Sequence, residues 1–72
     1  MTQETNRLTK VGQNLKKCIS ESKYKTQVAF ANEGMNQDPS LIRRWIKYGV
    51  NKITTLEEIA KVLEIDFFEL LK

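Results

Sequence analysis

The chain of 72 residues contains no histidine and a single cysteine, Cys18. Without histidine, and with only one thiol, it lacks the usual ligands of a zinc site and the pair that forms a Cys–His nucleophile. A lone cysteine also cannot form a disulfide within the chain, which suits a reducing cytosol. We therefore expect no enzyme activity, no metal and no cofactor, and we expect the protein to act in the cytoplasm.

Long apolar runs are also absent. No stretch approaches the roughly 20 apolar residues that a membrane span needs. The first seven residues, Met-Thr-Gln-Glu-Thr-Asn-Arg, have no apolar core and do not predict a signal peptide. The length indicates one domain, residues 1–72. A domain of this size buries only about 60% of its unfolded surface, so its stability depends on good helix packing.

Charge is distributed unevenly along the chain. Up to Lys52 there are ten Lys or Arg against four Asp or Glu, a net charge of +6. From Ile53 onward there are two against five, a net charge of −3. A basic front half is compatible with nucleic-acid binding, but an overall charge of +3 is small for a DNA-binding protein. A solvated surface with accidental asymmetry explains the same pattern.

Apolar periodicity predicts an all-α fold of five helical segments without strands or repeats. The expected ranges are 6–20, 26–34, 39–48, 55–63 and 66–71. The apolar face of the first segment is expected to contain Leu8, Val11, Leu15, Cys18 and Ile19, with Cys18 as a buried, inert thiol. Gly12 lies within this segment, where glycine should cost up to about 1 kcal/mol relative to alanine. The predicted core comprises Leu15, Phe30, Ala31, Ile42, Trp45, Leu56, Ile59, Leu63 and Leu70.

Signals for the ends of the middle helices are clear. Thr26 is a plausible N-cap for the second helix, and Gly34 is a natural C-cap. The third helix is expected to begin at Asp38-Pro39, because Asp caps well and Pro is harmless at the first helical position. Gly49 is expected to end it.

The last third of the chain contains two pairs with capping-box spacing. Thr54 is followed by Glu57, and Asp66 by Glu69. The sequence therefore predicts that these pairs begin the fourth and fifth helices. We expect Glu64 to occupy a left-handed position after the fourth helix.

Spacing across the middle and end of the chain resembles one known family. Thr26-Gln27 and Phe30-Ala31 resemble its Ser/Thr-Gln-x-x-Leu-Ala, and Ile42 and Trp45 resemble the two core anchors of its next helix. The closing stretch reads Thr-Leu-x-x-Ile-Ala-x-x-Leu-x-Ile-(x)4-Leu. These patterns resemble the Cro/repressor-type helix-turn-helix family. The resemblance implies a five-helix domain with its helix-turn-helix at about residues 26–49 and packing helices at 54–71.

The spacing departs from the common pattern of the family. The chain is one residue longer from Ala31 to Ile42, from Trp45 to Gly49, and before Thr26. A fold tolerates such changes in its connections, but a register of base contacts does not transfer across them.

The resemblance places a candidate surface on the helix-turn-helix. Its polar residues suit a DNA reader, although an ordinary solvated face has the same composition. Asp38 would repel phosphate at a helix N-terminus, and apolar residues at 28, 41 and 46 suit a protein interface better than a duplex. Rotation of Leu41 or Ile46 into the core by the lengthened turns is the alternative. The candidate surface consists of Gln27, Val28, Asn36, Gln37, Asp38, Ser40, Leu41, Arg43, Arg44 and Lys47.

The chain as a whole resembles the modulator-of-repression antirepressors of temperate phages of Gram-positive bacteria. This resemblance implies binding to the N-terminal DNA-binding domain of a CI-type phage repressor, whose DNA-reading surface would be covered, in the cytoplasm of the bacterial host. A Cro-like DNA-binding repressor is the alternative, and DNA could be bound alone or jointly with the repressor. We expect neither a membrane nor a small-molecule substrate as a partner.

Overall fold

The computed structural model describes the backbone of residues 3–72 and the side chains of residues 9–72. Every regular element in this part of the chain is helical, as predicted, and none of these helices is both long and apolar enough to cross a membrane. The elements are α1, Gln3–Glu21; α2, Gln27–Ala29, which continues as a π-helix, Phe30–Met35; α3, Pro39–Tyr48; α4, Ile53–Leu63; and a 3-10 turn, Phe67–Leu70.

Helix α1 buries the predicted apolar stripe. Val11, Leu15 and Ile19 are buried at four-residue spacing, so that they share one face. The Leu8 side chain, predicted on the same face, lies outside the described residues. After Glu21 the helix is closed by Ser22, whose hydroxyl and backbone N–H both donate to the Ile19 carbonyl.

Gly12 is the point of closest approach between α1 and α3. A Cβ added there would lie 2.1 Å from the Ile46 carbonyl oxygen and 3.1 Å from that of Trp45. The sequence predicted the cost of a glycine within a helix, but it did not predict this contact. The missing side chain allows two helix backbones to pack in contact, which an alanine methyl group would prevent.

The second helical segment changes from an α-helix to a π-helix along its length. Thr26 caps it as predicted, its Oγ1 accepting from the Ala29 N–H at 3.1 Å. From Phe30 to Met35 the bonding pattern is that of a π-helix, in which each turn holds one residue more than an α-helical turn.

Gly34 does not end this segment, contrary to the prediction. The left-handed C-cap is Asn36, with φ of 55° and ψ of 44°, and its backbone N–H donates to the Ala31 carbonyl. Gly34 lies inside the π-helix, where an added Cβ would be 2.8 Å from the Val62 side chain and 3.1 Å from the Tyr24 ring. Gly34 therefore allows close packing. Asn36 can end the segment because asparagine is, apart from glycine, the residue that best tolerates the left-handed conformation.

Helix α3 has the predicted bounds. Asp38 is its N-cap, Pro39 its first residue, and Gly49 its C-cap with φ of 85°. The sequence was sufficient to predict these bounds because Asp38 and Pro39 strongly favour the start of a helix and Gly49 favours its end.

Helix α4 begins earlier than predicted. It spans Ile53–Leu63, and its N-cap is Lys52, which makes no side-chain capping bond. The predicted capping box is therefore wrong: Thr54 lies inside the first turn and cannot be an N-cap. At the other end Glu64 adopts the expected left-handed conformation, φ 58° and ψ 43°. The following N–H, of Ile65, donates to the Ala60 carbonyl at 3.0 Å, the 6→1 bond of a Schellman motif.

The C-terminal segment forms a 3-10 turn and not a fifth α-helix. Asp66 caps it as predicted, but its carboxylate accepts from the Phe68 N–H, and Glu69 pairs instead with Lys72 at 2.7 Å. The segment is tied to α1 by the Asn14 side chain, which donates to the carbonyls of Leu70 and Lys72, both at 3.1 Å. Of the predicted capping box, only the N-cap formed by Asp66 is therefore present.

The core is largely as predicted. Eight of the nine predicted residues are buried, while Trp45 is half-buried and packs against the core from its edge. Cys18, which was predicted to be buried, is only half-buried, and desolvation by that burial raises the pKa of its thiol. The structure adds four buried residues to the list, Val11, Ile19, Val50 and Ala60.

Replacement of Glu64 by glycine should stabilise the fold. Glycine adopts the left-handed conformation without strain, which is worth roughly 0.4–1 kcal/mol. Loss of the exposed Lys23–Glu64 pair, 3.6 Å apart, should matter little. Glu64→Ala is the matched control, since it removes the same carboxylate but keeps the backbone strain. In chemical denaturation, the free energy of unfolding of Glu64→Gly should be higher than that of the wild type and higher than that of Glu64→Ala. A glycine variant no more stable than the wild type would contradict the strain at this position.

Gly12→Ala should destabilise the protein by about 1–3 kcal/mol, the range for overpacking a close contact. The reason is the Ile46 carbonyl, which must move to admit the new methyl group. Gln13→Ala, on the exposed side of the same helix, should change the free energy of unfolding by less than about 0.5 kcal/mol. If Gly12→Ala raises the melting temperature, the higher helix propensity of alanine outweighs any steric cost, and the proposed close contact with α3 is contradicted.

Candidate functional site

Helix α3 packs against α1 in an antiparallel direction. Gly12 of α1 faces the C-terminal half of α3, whereas Lys16 and Ser20 line a cleft with Arg43, nearer the N-terminus of α3. Ile42 points into the core and is fully buried. The residues exposed to solvent on α3 are Ser40, Arg43, Arg44, Lys47 and Tyr48.

Asp38 is held at the N-terminus of α3 by Ser40. Its Oδ1 accepts from the Ser40 N–H at 2.9 Å and from the Ser40 hydroxyl at 2.8 Å. These two bonds, together with the positive charge of Arg43, lower the pKa of the Asp38 carboxyl below its ordinary value of 3.8. A fixed, ionised carboxylate therefore occupies the helix terminus at neutral pH, at a position where phosphate could otherwise bind.

The turn before α3 exposes two further predicted residues. Asn36 and Gln37 are both exposed, and the Gln37 N–H donates to the Ala31 carbonyl at 2.8 Å. Asn36 also ends the preceding helical segment through its left-handed backbone. Its replacement would therefore alter the turn as well as the surface.

One flank of α3 borders a cleft of about 360 Å³. Three predicted residues line it, namely Gln27, Val28 and Arg43. Lys16 and Lys25 also line it, and sequence reasoning did not include them. With Arg43 they make three cations, and none of the described lining residues carries a carboxylate. We call this the basic cleft; its other lining residues are Ile19, Ser20 and Thr26.

The other flank of α3 has a smaller cavity of about 190 Å³, here called the aromatic pocket, lined by Leu41, Arg44, Trp45, Tyr48 and Gly49. Leu41 is half-buried in this pocket, and it does not belong to the core cluster. Ile46, in contrast, packs against the core. The sequence left open whether Leu41 or Ile46 faces the core. In the structure Ile46 faces the core and Leu41 lies at the surface.

Five of the ten predicted residues line one of these two cavities, and the other five, Asn36, Gln37, Asp38, Ser40 and Lys47, are exposed outside both. Arg43 and Leu41 are two residues apart, which places them roughly 160° from each other around a helix. The basic cleft and the aromatic pocket share no lining residue. Sequence reasoning also missed Tyr48, which is 61% exposed. Its spacing of seven from Leu41 and four from Arg44 was the available signal.

No family model, curated protein or solved structure matches the chain. Among the described residues, no group of three or more His, Cys, Asp or Glu side chains is placed to hold a metal ion. The geometry of exposed side chains on and around α3 is therefore the basis for the assignment of function.

Asp38→Ala should lower stability at neutral pH, because it removes both bonds to Ser40. Since folding lowers the pKa of this carboxyl, its contribution is complete above the ordinary value of 3.8 and is lost as the pH falls through the folded-state pKa. The difference in melting temperature between the wild type and Asp38→Ala should therefore be constant from pH 7 to 5 and shrink below about pH 4.

Asp38→Asn provides the control for this measurement. Asparagine caps helices well but does not titrate, so its melting temperature should not show the same acidic loss at this site. A wild-type advantage over Asp38→Ala that persists undiminished to pH 2 would contradict the role of the ionised carboxylate.

Proposed function

We propose that the chain is a helix-turn-helix regulator of the Cro/repressor type. In this proposal α2 and its π-helical continuation form the first helix of the motif, residues 36–38 form its turn, and α3 is the second helix. The left-handed Asn36, the Asp38 cap and a basic exposed face on α3 support it. In such motifs the second helix presents the recognition surface.

Within this class we propose an antirepressor of a temperate phage. It would bind the N-terminal DNA-binding domain of a CI-type repressor in the host cytoplasm and cover its DNA-reading surface. The observation that carries the proposal is apolar exposure beside the arginines of α3. Val28 is 47% exposed and Tyr48 is 61% exposed, while Leu41 is half-buried in a surface pocket. Aromatic and aliphatic side chains next to Arg are typical of the centre of a protein interface.

Asp38 supports the same proposal. Its carboxylate is ionised, fixed by Ser40 and fully exposed at the N-terminus of α3. A phosphate group approaching this terminus meets a negative charge and amide groups of which one is already bonded. A partner that presents Lys or Arg, as a DNA-reading surface does, gains an attractive contact instead.

A Cro-like DNA-binding repressor remains the second candidate, and one observation favours it. The basic cleft concentrates Lys16, Lys25 and Arg43, and the exposed Lys47 lies four residues, or about one helical turn, from Arg43. Such a cluster of cations suits a phosphate backbone. The two candidate functions differ in the expected role of the Asp38 carboxylate.

Asp38→Asn and Leu41→Ser separate the two functions. With DNA as the partner, Asp38→Asn removes a repulsive charge and tightens binding, and Leu41→Ser is tolerated. With the repressor domain as the partner, Asp38→Asn loses an attraction. Leu41→Ser then loses burial worth about 1.5–3 kcal/mol if the side chain becomes fully covered. We expect both variants to weaken binding of the repressor's N-terminal domain in a calorimetric titration.

Ile53→Ser is the control for Leu41→Ser, because Ile53 is an exposed aliphatic side chain that lines neither the basic cleft nor the aromatic pocket. It should leave repressor binding unchanged. Tight, salt-sensitive binding of operator DNA by the isolated wild-type chain, improved by Asp38→Asn, would replace the antirepressor proposal with the Cro-like one.

A further inference from the structure

The aromatic pocket has the properties of an anchor site within the larger surface. Its walls are Leu41 and the rings of Trp45 and Tyr48, and Gly49 lies among its lining residues. Tyr48 is largely exposed, although a ring of this size is usually covered in a small helical domain. Trp45 is supported from behind by the core, so one wall of the pocket is fixed.

The size of the pocket limits what it can bind. Its volume of about 190 Å³ is below the roughly 300–1,000 Å³ of pockets for small molecules. A single side chain is the largest group that it would hold. Leu41, Trp45 and Tyr48 offer apolar surface, while polar atoms, with Arg44 among the lining residues, make up about as much of the lining. The group that fits both parts is an apolar side chain with a carboxylate beside it.

The charges around the pocket are positive. Arg44 lines it, and the Lys47 ammonium group lies 5.3 Å from the centroid of the Tyr48 ring, in a cation–π contact. None of the five described lining residues carries a carboxylate. A partner side chain that enters the pocket is therefore matched by an acidic neighbour on the partner.

We propose that the aromatic pocket receives one apolar side chain of the repressor's N-terminal domain, next to a partner carboxylate that pairs with Arg44. This inference rests on the proposed function and adds the chemistry of the contact. Tyr48 is then a specificity-determining residue that lies outside the surface expected from the sequence. Asp38, at the other end of α3, faces a partner cation, and the opposite charges at the two ends fix the orientation of the partner.

The first experiment titrates the full-length chain with the repressor's N-terminal domain and compares Tyr48→Ala with Tyr48→Phe. Removal of an anchor aromatic ring should weaken binding by about tenfold or more, as at interface hot spots. Tyr48→Phe keeps the ring and should bind like the wild type. Phe68→Ala is the matched control, because Phe68 is 68% exposed and lies on the 3-10 turn, outside the pocket. It should have no effect on binding.

The second experiment tests the charge at the rim and does not depend on an aromatic substitution. Arg44→Glu should weaken repressor binding by at least about tenfold through like-charge repulsion, with a melting temperature near that of the wild type. Lys61→Glu makes the same charge change at an exposed position on α4 and should have a much smaller effect. Equal effects of the two reversals would indicate general attraction and overturn the specific pairing.

The outcomes separate the inference from the proposed function. If the wild-type chain binds the repressor domain and Tyr48→Ala binds equally well, the pocket is not the anchor, but the antirepressor proposal stands. If the wild type does not bind the repressor domain, both fail. If it instead shifts duplex DNA and Arg44→Glu abolishes the shift, Arg44 contacts phosphate or bases and the pocket proposal is overturned.

Discussion

The close crossing of α1 and α3 at Gly12 determines which side of α3 faces solvent. The Ile46 carbonyl lies where a side chain at position 12 would be, so the two backbones are in direct contact. This contact holds Ile42 in the core and Ile46 against it. Once those two residues point inward, helical geometry directs Arg44 and Lys47 outward and leaves Leu41 and Arg43 on opposite flanks. The part of the candidate surface that lies on α3 therefore depends on how α3 packs against α1.

The two flanks of α3 differ in chemistry, and this difference bears on function. The basic cleft combines cations from α1, the following loop and α3. The aromatic pocket is formed by α3 and the glycine that ends it, and it combines apolar side chains with Arg44. A surface for duplex DNA needs only the first kind, whereas a protein interface uses apolar anchors together with charges that set orientation. In the proposed function, the aromatic pocket and the ionised Asp38 are the features that suit a protein partner.

The all-helical fold, the bounds of α3 and most of the core could be predicted from the sequence, because apolar spacing and Asp38-Pro39 are local signals. The functions of Gly12 and Gly34 could not, since each depends on a neighbour far away in the chain. The π-helix, which places the C-cap at Asn36 and not at Gly34, was not predicted either. Within the candidate surface, exposure of Val28 and of the α3 cations followed from periodicity. The separation of the basic cleft from the aromatic pocket required knowledge of how α3 is rotated against α1.

The most direct measurement of the central claim is a gel shift on phage promoter DNA with the repressor, with and without this chain. An antirepressor that covers the DNA-reading surface should leave free DNA unshifted and should abolish the repressor's shift as its concentration rises. A DNA reader should shift the promoter alone, with an affinity that falls steeply as salt is added. We expect the first result. A shift of promoter DNA by the isolated chain at physiological salt, with the repressor's own shift undiminished, would contradict the account.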